Sequence, residues 1–306
     1  MNEKLQPNEI ADTVRSVFNF EVQKQHLHWN DDEYLRSYET PLMGLFRNDT
    51  GAFVGDRSVS ERFEPHTSED VIALAESTAH AFDNEVQLRC NWIQNRSNRD
   101  GHYVTMSPSD EYRKSVFGTD DNVFPRVVIR AAYGSSFKAT MGYFRDACSN
   151  LAMLQSTDIS TSVTIRHTKS LREKMDDLID VMSGLKSKWN NLTNVIDHMA
   201  NREVRLTDFL REVYEQPKPD ASKRTFTMYE DRMSAIWNRV ARERYHTGRG
   251  SIPVNGMVTA WEAYNAVQGY SQHDKSRKGN VSRFGRILLT ANDRDVHKAE
   301  RLALAL

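Results

Sequence analysis

Apolar residues recur at alternating spacings of four and three between Leu171 and Met199, and this row limits the possible folds more than any other feature. Side chains at such spacings share one face of an α-helix, so the pattern predicts a long amphipathic helix over 168–200. At about 45 Å the helix is too long for a small sheet to cover. The row, which we call the heptad seam, must therefore pack on other helices of the chain or on a neighbouring subunit. The candidates for joining subunits are Leu178, Met182, Leu185, Trp189 and Leu192.

The part of the chain before this helix shows the pattern of strands and tight turns. Apolar segments flank Asn48-Asp49-Thr50-Gly51, residue types that tolerate the backbone angles of a hairpin turn. Ser68 is expected to cap a helix, and further strands are predicted over 85–93, 102–106 and 125–133. The order of elements predicts an α+β fold. It has an N-terminal mixed, mostly antiparallel sheet domain with helices over 1–167 and a helical region over 168–306, whose basic C-terminal part covers 218–306.

The composition of the 306 residues is that of an ordinary soluble protein. With 39% hydrophobic and 27% charged residues, the chain can bury a large core. It contains no run of about 18 apolar residues, and the segment 1–9 lacks the apolar stretch of a secretory signal. Cys90 and Cys148 are the only cysteines, too few for a disulfide framework. We therefore expect no membrane association and a cytoplasmic location, in the host cytoplasm if a phage encodes the protein.

A net charge of -1 conceals an uneven distribution of charge along the chain. Residues 1–125 carry 12 Lys and Arg against 22 Asp and Glu, whereas residues 126–306 carry 29 against 20. A basic half of this kind favours an anionic partner, most often a nucleic acid. Head-to-tail contact between the acidic and basic halves of two subunits is the alternative.

The segment 124–172 combines strand patterns with basic and aromatic side chains. Alternation along its first strand places Arg126 and Arg130 on one face, opposite Val127 and Ile129. Cations can follow phosphates, and aromatic rings can stack on unpaired bases. A solvated surface or a core position is the alternative for each residue. The candidates are Arg126, Arg130, Lys138, Arg145, Arg166 and Lys169 for phosphate contacts, and Tyr133 and Phe137 for stacking.

The sequence offers little for catalysis. Cys148, His167 and His273 with Asp274 could be brought together by the fold as a Cys/His/Asp arrangement, but their spacing does not require it. No nucleophile elbow, phosphate-binding loop, dinucleotide fingerprint or zinc motif is present. The expected protein is not an enzyme, uses no cofactor and holds no metal.

Four motifs, in order along residues 42–290, resemble an uncharacterised phage- and plasmid-borne family. They are Arg47-Asn48-Asp49-Thr50-Gly51, the block ending in Arg145-Asp146-Ala147-Cys148-Ser149-Asn150, the step Ile165-Arg166-His167-Thr168, and Ala260-Trp261-Glu262-Ala263-Tyr264-Asn265 with the residues that follow it. The family is a domain-of-unknown-function group of bacteriophages and conjugative plasmids. The arrangement of sheet and helix is also similar to the phage single-strand annealing proteins of the Redβ and RecT type.

The resemblance implies a role in DNA replication or recombination. Combined with the basic segment, it predicts a homo-oligomeric protein that binds single-stranded DNA, or RNA, and anneals complementary strands. Host or phage replication proteins are further expected partners. One alternative is a non-enzymatic phage factor that binds a host protein, and a second is an enzyme that uses Cys148, His167 and His273.

Overall fold

The structure, a computed structural model, describes residues 7–31, 33, 36–84, 86–93, 101–134, 136–145, 150–152, 162–275 and 293–306. In chain order its strands are β1 (Val22–Asp31), β2 (Arg36–Arg47), β3 (Phe53–Val59), β4 (Val86–Ile93), β5 (Gly101–Pro108), β6 (Lys114–Val116), β7 (Asp121–Ala132), β8 (Phe137–Arg145), β9 (Asn150–Ala152), β10 (Ser162–Ile165), β11 (Glu203–Arg205) and β12 (Met257–Thr259). Its helices are α1 (Pro7–Arg15), α2 (Ser68–Ala81), α3 (Leu171–Ser183), α4 (Leu185–Ala200), α5 (Leu206–Val213), α6 (Lys223–His246), α7 (Ala260–Gly269) and α8 (Arg294–Ala305). These antiparallel sheets and helices confirm the α+β fold class.

The chain divides into two compact units, each built from separate segments. Unit 1 comprises Met1–Ser109, Arg126–Met141 and Thr161–Lys186, and unit 2 comprises Asp110–Pro125, Gly142–Ser160 and Ser187–Leu306. The division differs from the predicted boundary at 167, because residues 110–125 and 142–160 cluster with the C-terminal segment. The order of the sequence alone does not show that these two segments belong to unit 2.

Unit 1 contains two antiparallel sheets. Strands β1, β2 and β3 form one of them in that order, and the other has the order β10-β8-β7-β5-β4, to which β7 contributes residues 126–132 and β8 residues 137–141. Helices α1, α2 and α3 pack together beside the second sheet. Period-two alternation turns Val127, Ile129 and Phe137 into the core, where each is fully buried.

Helix α2 begins one residue earlier than the sequence predicts. Thr67, not Ser68, is the N-cap: its hydroxyl accepts from the backbone N–H of Asp70 at 3.2 Å, and the Asp70 carboxylate accepts from the backbone N–H of Thr67 at 2.7 Å. This reciprocal pair is a capping box. It fixes the start of α2 two residues after His66.

The predicted single helix over 168–200 is two helices, α3 and α4, interrupted at Gly184. Glycine weakens a helix because it has the greatest backbone freedom to lose. The side chains of the heptad seam are buried within this one chain, at no more than 4% exposure. Burial favours packing within the chain over contact between subunits for Leu178, Met182, Leu185, Trp189 and Leu192.

Unit 2 is organised around helix α7, all of whose residues are buried. Helices α5, α6 and α8 contact it, and the short strands β11 and β12 pair beside it. A π-helical turn over Tyr270–Asp274 continues the chain after α7. The fourth of the family-like motifs is therefore the core of unit 2.

Candidate nucleic-acid interface

The face of the larger unit 1 sheet that is turned away from the helices carries the predicted pair of arginines. Arg126 and Arg130 are both half-buried, while Val127 and Ile129 between them are fully buried on the opposite side. Arg126 donates a hydrogen bond from Nε to the Ser107 hydroxyl at 3.0 Å on the adjacent strand β5. The alternation predicted from the sequence is present in the structure.

Neighbouring strands add two more cations to this face. Arg89 of β4 pairs with Thr105 of β5, which in turn pairs with Val128, so Arg89 lies on the same side as Arg126 and Arg130. Lys138 of β8 alternates with the buried Phe137 and Ala139 and therefore also points to this side. We call Arg89, Arg126, Arg130 and Lys138 the cationic face. Arg89 was not among the sequence candidates, because only the pairing of β4 with β5 places it there.

Three cations of the cationic face, Arg89, Arg130 and Lys138, lack a carboxylate partner among the described residues. The pKa of Lys138 is lowered, first by burial and then by the positive charge of Arg130. Among the described residues, no carboxylate forms an ion pair with Arg89, Arg130 or Lys138. Nε of Arg130 is buried and has no hydrogen-bond partner in the described part of the chain. The side chains of Arg130 and Lys138 therefore repel one another, and both have hydrogen-bonding capacity that no described group uses.

Arg166 and Lys169 are exposed and lie beyond the end of β10. Thr164, the register partner of Lys138, precedes Arg166 by two residues. Arg166 therefore lies just after strand β10, which pairs with the strand that carries Lys138. Lys169 lies farther along, in the turn that precedes α3.

Arg145 has a different environment from the other basic candidates. It belongs to unit 2, is 1% exposed, and donates to both carboxylate oxygens of Asp121 at 2.6 and 2.8 Å. A further N–H donates to Glu243 at 2.6 Å. These bonds hold the guanidinium in the core, so Arg145 is not available in this structure for the predicted phosphate contact.

Tyr133 and Phe137 are core residues and do not form a surface for stacking bases. Phe137 is fully buried and Tyr133 is 1% exposed. The Tyr133 ring stacks on His66 at 4.1 Å, and its hydroxyl donates to the His66 carbonyl at 3.2 Å. Tyr133 and Phe137 therefore occupy core positions, which was the alternative to base stacking that the sequence left open.

A cluster of buried histidines lies next to these rings in unit 1. Nδ1 of His66 and Nε2 of His167 are 3.0 Å apart and share a hydrogen bond. His102 stacks on Phe18 at 3.6 Å. Burial lowers the pKa of His66 and lowers that of His102 to about 3. The rings of His66 and His102 are therefore held in the neutral form.

Of the catalytic arrangement considered from the sequence, Cys148 lies outside the described residues. His167 belongs to unit 1 and His273 to unit 2. Cys90 is half-buried, and burial raises the pKa of its thiol to about 11. No group of three or more His, Cys, Asp or Glu side chains in the described ranges is placed to hold a metal ion.

Comparison with protein-family models gives a match over residues 57–303 to a domain of unknown function, DUF932. The chain belongs to the DUF932 family. The match covers the whole cationic face and all three buried histidines of this DUF932 protein. No curated protein and no solved structure matches the chain. In the parts of the chain that are described, no helix is both long and apolar enough to cross a bilayer.

Proposed function

We propose that this DUF932 protein binds single-stranded DNA through the cationic face. The observation that carries the proposal is the juxtaposition of Arg130 and Lys138, where one cation lowers the pKa of the other and no described carboxylate pairs with either. Placing two like charges together in a partly buried position is unfavourable unless an anion neutralises them. A phosphate bridging the two side chains would remove the repulsion and satisfy Nε of Arg130.

The geometry of the face suits phosphates that can move relative to one another. Arg130 lies four residue steps, or about 13 Å, along the strand from Arg126, and adjacent strands are about 4.8 Å apart. A flexible single strand can adjust its backbone to cations at both spacings. Contacts of this kind are independent of base sequence, and the phosphates of RNA can make them as well as those of DNA.

The resemblance to phage- and plasmid-borne proteins extends the proposal to the biological setting. The protein would act on single strands during DNA replication or recombination of a bacteriophage or another mobile element, inside the host cytoplasm. Annealing of complementary strands, assembly into a homo-oligomer and contact with replication proteins are the further steps that the resemblance implies. Annealing requires that the charge of both strands be neutralised, a task that uncompensated cations can perform.

Fluorescence anisotropy of a labelled oligonucleotide tests the proposal. We expect salt-sensitive binding without nucleotide or metal, with weaker binding to the matched duplex. A second arm follows the pairing of two labelled complementary strands. Absence of binding at low ionic strength would contradict the proposal, whereas binding without faster pairing would restrict the function to coating single strands.

A further inference from the structure

A cleft of about 260 Å³ opens in unit 1 where strands β7, β8 and β10 end. Tyr133, Gly134 and Ser136 of the β7–β8 turn form one side, and Arg166 and His167 after β10 form another. Residues of β2 and β3 and the ring of Phe63 complete the lining. The cleft therefore lies at the ends of β7 and β8, two of the strands that carry the cationic face.

The polar groups of this cleft suit an anion. Arg166 supplies an exposed guanidinium, and Ser58 and Ser136 supply hydroxyls. No Asp or Glu is among the described residues that line it. A larger cleft of about 840 Å³ in the same unit is lined by Glu21, Glu69, Asp70 and Asp176, with Arg172 as the one cation among its described lining residues. The large cleft repels anions, and the small one attracts them.

One wall of the small cleft is aromatic and held in place. The rings of Phe63 and His167 stack 4.8 Å apart and are nearly parallel, at 9°. The hydrogen bond between His167 and His66 fixes the imidazole from the other side. Flat rings of this kind accept a planar base, and a fixed orientation reduces the entropy lost when a ligand binds.

Glycine residues keep part of the lining free of side chains. Gly55 has a φ of +86°, and a Cβ added there would come within 3.6 Å of the backbone nitrogen of Gly134. Because both facing residues are glycines, the two backbone segments approach closely and no side chain projects from either into the cleft. A site that binds one anionic group and one planar ring requires such space.

We infer that the cleft holds one nucleotide unit of the bound strand, with the base against the wall formed by Phe63 and His167 and the phosphate on Arg166. The inference rests on the proposed function and adds a cause for preferring single strands. A base in a duplex is paired and stacked and would have to leave the helix before it entered the cleft, which costs free energy. Arg166 connects the cleft to the cationic face. It lies two residues after Thr164, the register partner of Lys138.

Thymidine 5′-monophosphate alone is the probe that separates the cleft from the face. We expect millimolar nucleotide to shift the amide NMR signals of Gly134, Ser136 and His167 in the full-length protein. Replacement of the exposed arginine, Arg166→Ala, should weaken nucleotide binding about tenfold, equivalent to about 1.4 kcal/mol. Ser136→Leu, which fills the cleft, should also abolish the shifts, while thermal unfolding confirms that both variants remain folded.

The double variant Arg126→Ala/Arg130→Ala is the complementary control. It should lose oligonucleotide affinity and keep the mononucleotide shifts, because neither arginine lines the cleft. If the wild type binds the oligonucleotide but the mononucleotide shifts no signal near the cleft, the inference fails and the proposed function stands. If neither ligand binds, the proposed function fails. Retention of mononucleotide binding by folded Arg166→Ala and Ser136→Leu would also overturn the inference.

Discussion

Arg145 donates two hydrogen bonds to Asp121, and the pair is almost completely buried in unit 2, at 1% and 0% side-chain exposure. Trp261 donates to the same carboxylate at 3.2 Å, and Glu243 accepts a third bond from Arg145. An arginine so bonded is a structural residue. Arg130, on the same basic segment, has no described carboxylate partner, and this difference separates core cations from those proposed to bind DNA.

Replacement of Arg145 should destabilise the protein strongly. Arg145→Ala leaves the Asp121 carboxylate buried without its cation and leaves Glu243 with only the longer Arg239 contact at 3.5 Å, and the removal of one partner from a buried pair typically costs about 3–5 kcal/mol. Chemical denaturation measures the loss. Exposed Arg166→Ala is the matched control and should change the free energy of unfolding by about 0.5 kcal/mol or less. Equal effects of the two substitutions would contradict the structural role.

Acid should destabilise unit 1 through its histidines. Because the pKa of His102 is lowered to about 3 and that of His66 is also lowered, the folded state favours the neutral rings. The unfolded chain takes up protons below pH about 6.5. The stabilisation is therefore complete above that pH and decreases as the pH falls from 6.5 towards 3.

Thermal unfolding midpoints from pH 7.5 to 5 measure this decrease. His102→Phe removes one of the titrating rings, and Phe can keep the stack on Phe18. The ring nitrogens of His102 form no hydrogen bond of good geometry in the described chain, and the backbone of Val17 is the one hydrogen-bonding group there close enough to affect the pKa of the ring, so the substitution loses only this weak contact. The variant should show a smaller shift with pH, and an unchanged shift would show that the acid sensitivity arises elsewhere.

Gly101 should not tolerate a side chain. A Cβ at this position would lie 2.4 Å from both the carbonyl oxygen of Ala131 and the Cα of Ala132, which are backbone atoms of the neighbouring strand. We expect Gly101→Ala to lower the free energy of unfolding by about 1–3 kcal/mol, the usual cost of overpacking. Gly184→Ala is the control, because its nearest such atom is 3.6 Å away. It should be neutral or stabilise the protein by about 0.4–1 kcal/mol, and the reverse order of stabilities would be inconsistent with this packing.

Cys90 should react slowly with alkylating reagents. Since burial raises the pKa of its thiol to about 11, little of the reactive thiolate is present near neutral pH. Iodoacetamide labelling of Cys148→Ser, followed by mass spectrometry, should be slow at pH 7.5 and accelerate as the pH rises. Labelling as fast as that of the unfolded chain would show that the thiol is not shielded.

Local sequence patterns predict the parts of the fold that depend on neighbouring residues. The shared face of Arg126 and Arg130 follows from the period of a strand, and the hairpin turn at Asn48 follows from residue types. Arg89 joins the face only through the pairing of β4 with β5, a relationship between distant segments that alternation cannot provide. The cationic face was therefore predictable in part.

Long-range partners explain why other predictions differ from the structure. Arg145 is bonded to residues 24 and 98 positions away, so its sequence neighbours give no sign that it is buried. The row of apolar residues from Leu171 to Met199 continues across Gly184, and only the break at that glycine separates α3 from α4. Likewise, contact between His66 and His167 requires the folded sheet.

The salt dependence of single-strand binding by Arg126→Ala/Arg130→Ala tests the central claim most directly. Loss of two phosphate contacts should weaken binding to all sequences alike and reduce the slope of log affinity against log salt by about 1.4, since each contact to a single strand contributes about 0.7. Arg205→Ala/Arg211→Ala removes the same charge from exposed residues beside Asp208 in unit 2 and should leave the slope unchanged. If both double variants bind with the wild-type affinity and slope, the cationic face is not the DNA-binding surface.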